Sequence, residues 1–186
     1  MKRRDFSFQL ATAGLGLGLA VRAHAQGAPV EGQQYVKLSS PAPTSVPAGK
    51  KIEVIEFFWY ECPHCYAFEP AVQAWSRKLP AEVWFHRVPV GFTARHQVTQ
   101  KLYLALEAMG QAEALHMAIF DAIHQQKKRL LSEPELVAFV SAHGIDGARF
   151  AEMFRSFQVH SQAVRAEQLA EAYKIDGVPA MGVGGR

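Results

Sequence analysis

Cysteine is scarce in this 186-residue chain: only Cys62 and Cys65 occur, separated by the dipeptide Pro63-His64. A zinc site needs about four ligands, and neither a second cysteine pair nor a metal-spaced pair of histidines is present, so no metal is expected. A structural disulfide closing so short a loop would restrict the unfolded chain very little. Two interpretations of the motif remain: a redox-active cysteine pair, or two buried free thiols.

Long hydrophobic runs are also missing. The apolar stretch at residues 10–21 is too short to cross a bilayer comfortably. It follows a basic segment at residues 2–4 and precedes Ala23-His24-Ala25, a typical cleavage site. We therefore predict a signal peptide at residues 1–25, with an uncleaved anchor as the alternative. Residues 3–6 also resemble a twin-arginine signal, so the export route stays open.

The chain has no excess of positive or negative charge outside this predicted leader. The chain has a formal net charge of +3, and that excess lies within residues 1–25, which leaves the remainder formally neutral. Nothing in this balance favours nucleic-acid binding. Export favours the periplasm, where disulfides persist. A Cys-x-x-Cys pair there is expected to make disulfide bonds rather than break them.

The motif lies where a strand gives way to a helix. We predict strands at Gln34–Leu38, Lys51–Trp59 and Ala81–Val90, and a helix over Tyr66–Leu79. The second strand is a near-continuous apolar run, as expected at the centre of a parallel sheet. Such a Cys-x-x-Cys beside a βαβ pattern is typical of a redox motif.

Strand patterns are absent from about residue 95 to residue 172, where five helices are predicted instead. A capping box begins at Ser132, and Asp146 is predicted to cap a helix that includes Phe157. A strand over Ala180–Val183 follows Pro179. Residues 26–186 therefore form one predicted domain with a helical insertion at about 95–172. From the residues alone, Pro179 is either cis or an ordinary loop proline.

The position of each sulfur predicts its role. Cys62 opens a helix, where unpaired N–H groups and the helix dipole stabilise a thiolate. His64 can add a donor or a positive charge there, or it is a plain surface residue. Cys65 lies one turn further on and can attack a mixed disulfide on Cys62. We therefore expect Cys62 to be the nucleophile and Cys65 the resolving thiol.

These features together resemble the DsbA family of periplasmic thiol:disulfide oxidoreductases. The resemblance covers residues 35–186 and is carried by Ile55-Glu56-Phe57-Phe58, the Cys62-Pro63-His64-Cys65-Tyr66 segment, the helical insertion and Gly177-Val178-Pro179-Ala180. It implies an α/β, thioredoxin-like fold with an all-helical domain inserted between the βαβ half and the cis-proline strand. Pro179 would then be cis beside the cysteines, and the backbone of Val178 would pair with an extended substrate.

Glu56 is the odd polar residue of its strand. The resemblance implies a buried acid beneath the disulfide that can move the proton of Cys65. A lone buried carboxylate should have a raised pKa; the alternative is an acid at a strand edge that reaches water or an arginine. The family often places a lysine on the next strand, whereas this chain has Phe85-His86-Arg87 there. The charge coupling around Glu56 is therefore expected to differ.

The resemblance also implies the activity and its partners. We expect a monomeric oxidase that introduces disulfides into newly exported, unfolded proteins, needs no bound cofactor, and is reoxidised by a DsbB-like membrane quinone oxidoreductase. A disulfide isomerase or reductase, or a peptide-binding chaperone module, are the alternatives. Because the family continues beyond the position of Arg186, we also expect a C-terminal strand and helix to be missing, with a loss of stability.

Overall fold

The computed structural model describes residues 28–186, so the predicted leader at 1–25 lies outside the described residues. The described residues fall into two units, 28–36 and 37–186. The predicted strand at Gln34–Leu38 is wrong, since that stretch contains only an isolated bridge between Glu31 and Tyr35. The side chain of Val36 is 76% exposed. A short alternating pattern does not make a strand unless its backbone groups find a partner strand.

A three-stranded sheet forms the base of the second unit. Its strands are β1 (Ile52–Phe58), β2 (Val83–Pro89) and β3 (Ala180–Val183), in the order β2-β1-β3. The central strand β1 runs parallel to β2 and antiparallel to β3. Every β1 residue after Ile52 is buried. This confirms the prediction of a central strand, because a near-continuous apolar run suits a strand covered on both faces.

Helix α1 (Pro63–Ser76) connects β1 to β2 and completes the βαβ half. It begins three residues earlier than predicted. Pro63 is in its first turn, where the missing N–H costs nothing and the fixed φ angle suits a helix. Cys62 is the N-cap residue, with extended backbone angles. The local sequence therefore fixes where the helix starts relative to the two sulfurs.

Five helices lie between β2 and β3 and confirm the predicted insertion: α2 (Ala94–Ala108), α3 (Ala112–His124), α4 (Glu133–Ala142), α5 (Gly147–Phe154) and α6 (Phe157–Ala172). The capping box at Ser132 and the Asp146 cap are both present. Phe157, however, opens α6 and does not belong to α5. Ser156 separates the two helices because its hydroxyl accepts a hydrogen bond from the Val159 amide at 3.2 Å.

Strand β1 divides the apolar interior into two clusters, because its successive side chains point to opposite faces. Ile55 and Phe57 pack in one cluster with Tyr173 and residues of α6. Phe58 packs in the other with the helical insertion and with both cysteines. The end of β1 thus brings the sulfurs to the junction of the sheet and the insertion. None of the described helices is long and apolar enough to cross a membrane.

Gly182 on β3 offers a test of this packing. A Cβ atom there would come within 2.6 Å of the Tyr173 ring, whose hydroxyl accepts a hydrogen bond from the Gly185 amide at 2.9 Å. We expect Gly182→Ala to lower the unfolding free energy by about 1–3 kcal/mol through overpacking. Gly177→Ala is the matched control, since nothing lies within 4 Å of its Cβ position. Equal urea midpoints for the two variants would refute the close packing of β3 on Tyr173.

Candidate active site

The two cysteines occupy different environments at the start of α1. Cys62 is 6% exposed and Cys65 is fully buried; both are thiols in this structure. The Cys62 amide donates to the Trp59 carbonyl at 3.1 Å, and the Cys62 carbonyl accepts from the Tyr66 amide at 3.1 Å. Burial, followed by the neighbouring Cys62 sulfur and the Glu56 carboxylate, raises the pKa of the Cys65 thiol far above its usual range. Cys65 is thus a protonated thiol in the reduced protein.

The segment before β3 reaches the same place from far along the chain. The Val178–Pro179 peptide bond is cis, as the family resemblance implied. The Cys62 thiol donates a hydrogen bond to the Val178 carbonyl at 3.4 Å, across 116 residues of sequence. Pro63 and His64 are both exposed. The fold therefore brings Val178, and with it the cis peptide bond to Pro179, into contact with Cys62.

Glu56 lies on β1, 1% exposed, and shares the face of Phe58, whose cluster holds the cysteines. It is not the lone carboxylate first considered. Arg87 is its partner in the parallel register of β1 and β2, and the Arg87 Nε donates to Glu56 Oε2 at 3.0 Å. An arginine does reach the acid, as the alternative interpretation allowed, but in the buried centre of the sheet and not at an edge.

Arg87 is shared among three carboxylates. Its Nη2 donates to Glu69 Oε1 at 2.7 Å, and its Nη1 donates to the largely exposed Glu113 of α3. Burial first, and then repulsion from Glu69, raise the pKa of Glu56 to about 7 despite the attraction of Arg87. One guanidinium does not compensate three anions. The Glu56 carboxyl group therefore titrates near neutral pH, and its charge also acts on the Cys65 thiol.

The buried network continues into the helical insertion. His116 of α3 places its Nε2 atom 3.3 Å from Glu69 Oε2, and its Nδ1 atom lies 2.9 Å from the Tyr60 hydroxyl. Burial lowers the pKa of His116, so the imidazole is neutral at neutral pH. The sequence indicated only that Tyr60 flanks the active turn, either on a substrate surface or in the core; it is buried, and its contact with His116 and that of His116 with Glu69 were not predicted. For Glu69 a signal existed: it follows Cys65 by one helical turn, on the buried face of α1.

Comparison with known proteins identifies the family. Residues 81–186 match the model of the DSBA-like thioredoxin domain. The thiol:disulfide interchange protein DsbA of Azotobacter vinelandii is 48% identical over 155 residues, which are 83% of this chain and 72% of that protein. DsbA of Pseudomonas aeruginosa is 43% identical over 186 residues, 100% of this chain and 85% of that protein. This chain belongs to the DsbA family.

Solved DsbA structures agree with this assignment. The crystal structure of Pseudomonas aeruginosa DsbA matches with a TM-score of 0.76 and 46% identity, over 81% of this chain and 77% of that one. The oxidoreductase DsbA from Xylella fastidiosa matches with a TM-score of 0.80 and 33% identity, over 85% and 86% of the two chains. The DsbA resemblance and the thioredoxin-like fold are confirmed. The protein is a thiol:disulfide oxidoreductase that exchanges disulfide bonds with protein substrates.

The raised pKa of Glu56 predicts a pH-dependent stability of the reduced protein. The pKa of Glu56 is raised to about 7 in the folded protein, whereas an unperturbed glutamate has a pKa of 4.5. This group therefore makes the unfolding free energy fall as pH rises between these values, by about 3 kcal/mol in total. Glu56→Gln should remove that part of the slope, measured by urea unfolding from about pH 4 to pH 8.

The matched control is Glu113→Gln, which also removes one carboxylate from Arg87 but at a side chain that is 73% exposed. It should leave most of the slope in place. If Glu56→Gln and the unaltered protein lost stability equally over this pH range, the assignment of the buried proton to Glu56 would be wrong.

Proposed function

We propose that this DsbA-family protein is a thiol:disulfide oxidase in which Cys62 is the nucleophile and Cys65 the resolving thiol. The observation that carries the proposal is the asymmetry of the two sulfurs. Cys62 is the N-cap of α1 and is 6% exposed, while Cys65 is fully buried one turn behind it. Unpaired amides and the helix dipole at that end stabilise negative charge on the first sulfur, and this favours the reduced form of the pair.

The oxidised enzyme carries a bond between the two sulfurs. A substrate thiolate attacks the sulfur of Cys62, the bond to Cys65 breaks, and its electron pair stays on the Cys65 sulfur. A second substrate thiolate attacks the substrate sulfur of the mixed disulfide and displaces Cys62 as a thiolate. The substrate leaves with a new disulfide, and the enzyme leaves as the dithiol.

Glu56 is the proposed proton donor for Cys65. When the mixed disulfide forms on Cys62, the bond to Cys65 breaks and leaves a thiolate in a fully buried place, where negative charge is strongly disfavoured. A carboxyl group that titrates near neutral pH can supply the proton. His64 is proposed to stabilise the thiolate of Cys62, and Pro63 to hold the start of α1 in its helical form.

The backbone of Val178, held by cis-Pro179, is the proposed substrate-binding element. Its carbonyl already lies 3.4 Å from the Cys62 sulfur, so an extended peptide bound there would bring a cysteine next to the reacting atom. Backbone pairing of this kind gives affinity without demanding one sequence. Unfolded, newly exported proteins are the corresponding substrate class.

The proposal includes location and partners. Residues 1–25 are proposed to direct export, and the domain that follows is proposed to act as a monomer in the periplasm. A DsbB-like membrane quinone oxidoreductase is the proposed oxidant that restores the disulfide. Recovery of a periplasmic protein that begins at Gln26 would test the leader directly.

Single-cysteine variants should separate the two proposed roles. Incubated with a reduced, unfolded protein under an oxidising glutathione buffer, Cys65→Ser should accumulate mixed disulfides through Cys62, because nothing resolves them. Cys62→Ser should form almost none, since its remaining sulfur is buried. Mass spectrometry of acid-quenched samples measures the amount of mixed disulfide that each variant forms. Equal trapping by the two variants would contradict the assignment.

A glutathione titration of the unaltered protein tests the direction of the reaction. An oxidase should be far more oxidising than thioredoxin, whose potential is about −270 mV. A thioredoxin-like value would instead favour a reductase or isomerase. A Cys62→Ala variant that kept full activity in a refolding assay would favour a peptide-binding module.

A further inference from the structure

Glu61 is the residue that directly precedes Cys62, the proposed nucleophile, in the chain. Its side chain is only 8% exposed. Arg95, in the first turn of α2, donates to Glu61 Oε2 from Nε at 2.9 Å and from Nη2 at 2.6 Å. An acid from the turn before α1 is thus held by a cation from the helical insertion.

This pair differs from an ordinary surface salt bridge, because the acid is mostly buried while the arginine is 64% exposed. The second oxygen of Glu61, Oε1, is buried and has no hydrogen-bond partner among the described residues. Compensation of the Glu61 charge therefore depends on Arg95. A largely buried anion that loses its partner is destabilised, and it repels any neighbouring negative charge.

The other groups near this end of α1 do not replace Arg95. His96, the next residue of α2, stacks on Trp59 with ring centroids 3.8 Å apart, and burial lowers its pKa, so it is neutral at neutral pH. His64 is exposed. The Val178 carbonyl presents an oxygen to the Cys62 sulfur. Among the described residues, Arg95 is the permanent cation that bonds to Glu61.

We propose that the Glu61–Arg95 pair tunes the redox equilibrium of Cys62 and Cys65, with Arg95 as a positioning residue that cancels the Glu61 charge beside the nucleophilic sulfur. The inference rests on the proposed role of Cys62. A thiolate exists on that sulfur only in the reduced enzyme. An uncompensated Glu61 would therefore destabilise the reduced form alone and make the enzyme a weaker oxidant.

Opposite charge changes within the pair should move the equilibrium in opposite directions. Arg95→Gln exposes the thiolate to Glu61, so the equilibrium constant for oxidation of glutathione should fall by about three- to tenfold at low ionic strength. Glu61→Gln leaves the cation and removes the anion, so the constant should rise by a similar factor. The double variant should lie near the unaltered protein, and Arg95→Lys should restore most of the effect.

The readouts are the glutathione equilibrium constant and the ultraviolet absorbance of the thiolate as a function of pH. Salt should shrink both shifts, since Arg95 is exposed and screened. Arg155→Gln is the matched control: it removes one cation from another ion pair of the insertion, with Glu133 at 3.6 Å, and should leave the equilibrium unchanged.

A purely structural clamp would behave differently. Either single variant would then lower thermal stability without shifting the equilibrium, or both would shift it in the same direction; each result would overturn the proposal. The proposed function fails separately. If the unaltered protein had a thioredoxin-like potential, the oxidase assignment would be lost, whereas the opposite shifts of Arg95→Gln and Glu61→Gln would still report on the pair.

Discussion

The contrast between two sulfurs one helical turn apart governs this structure. Cys62 ends the approach from the central strand and begins α1, whereas Cys65 lies inside the cluster that joins the sheet to the insertion. A helix N-terminus stabilises negative charge, and a buried site opposes it. The same short motif therefore creates one sulfur suited to hold charge and one suited to hold a proton.

The buried charges beneath the sulfurs are costly, and their presence needs a reason beyond stability. Breaking a buried ion pair is strongly destabilising, but replacing the whole group by apolar residues is often neutral or favourable. Here one guanidinium serves Glu56, Glu69 and Glu113. Burial, followed by repulsion from Glu69, raises the pKa of Glu56 to about 7. A proton held there is useful to a reaction that alternately charges and protonates a buried thiol, which an apolar core could not support.

Local signals in the sequence predicted much of the fold. The central strand, the insertion, and the caps at Ser132 and Asp146 are each set by neighbours in the chain, and all are present. The predicted strand at Gln34–Leu38 failed because strand formation depends on a partner. Phe157 was assigned to the wrong helix because a single serine, Ser156, was not recognised as a new cap.

The site was predicted unevenly for a related reason. The Cys-x-x-Cys motif is local, but the cis bond before Pro179 could be expected only through the family resemblance. Arg87 was visible in the sequence, yet its contact with Glu56 depends on the register of two parallel strands. His116 had no local signal, because its position beside Glu69 arises from the packing of α3 on α1. Side-chain contacts between elements distant in sequence are the part that local patterns do not encode.

The helical insertion does more than cover the sheet, because it contributes charged side chains near the two cysteines. The βαβ half provides both sulfurs, Glu56, Glu69 and Arg87, whereas α3 contributes Glu113 and His116 to the charge network below the motif. Helix α2 contributes Arg95 to the turn that precedes Cys62. The inserted helices therefore place charged or titratable groups on two sides of the sulfur pair. The proposed role of the Glu61–Arg95 pair implies that a thioredoxin-like core with the same motif and a different insertion would keep the reaction, while other charges would set its equilibrium.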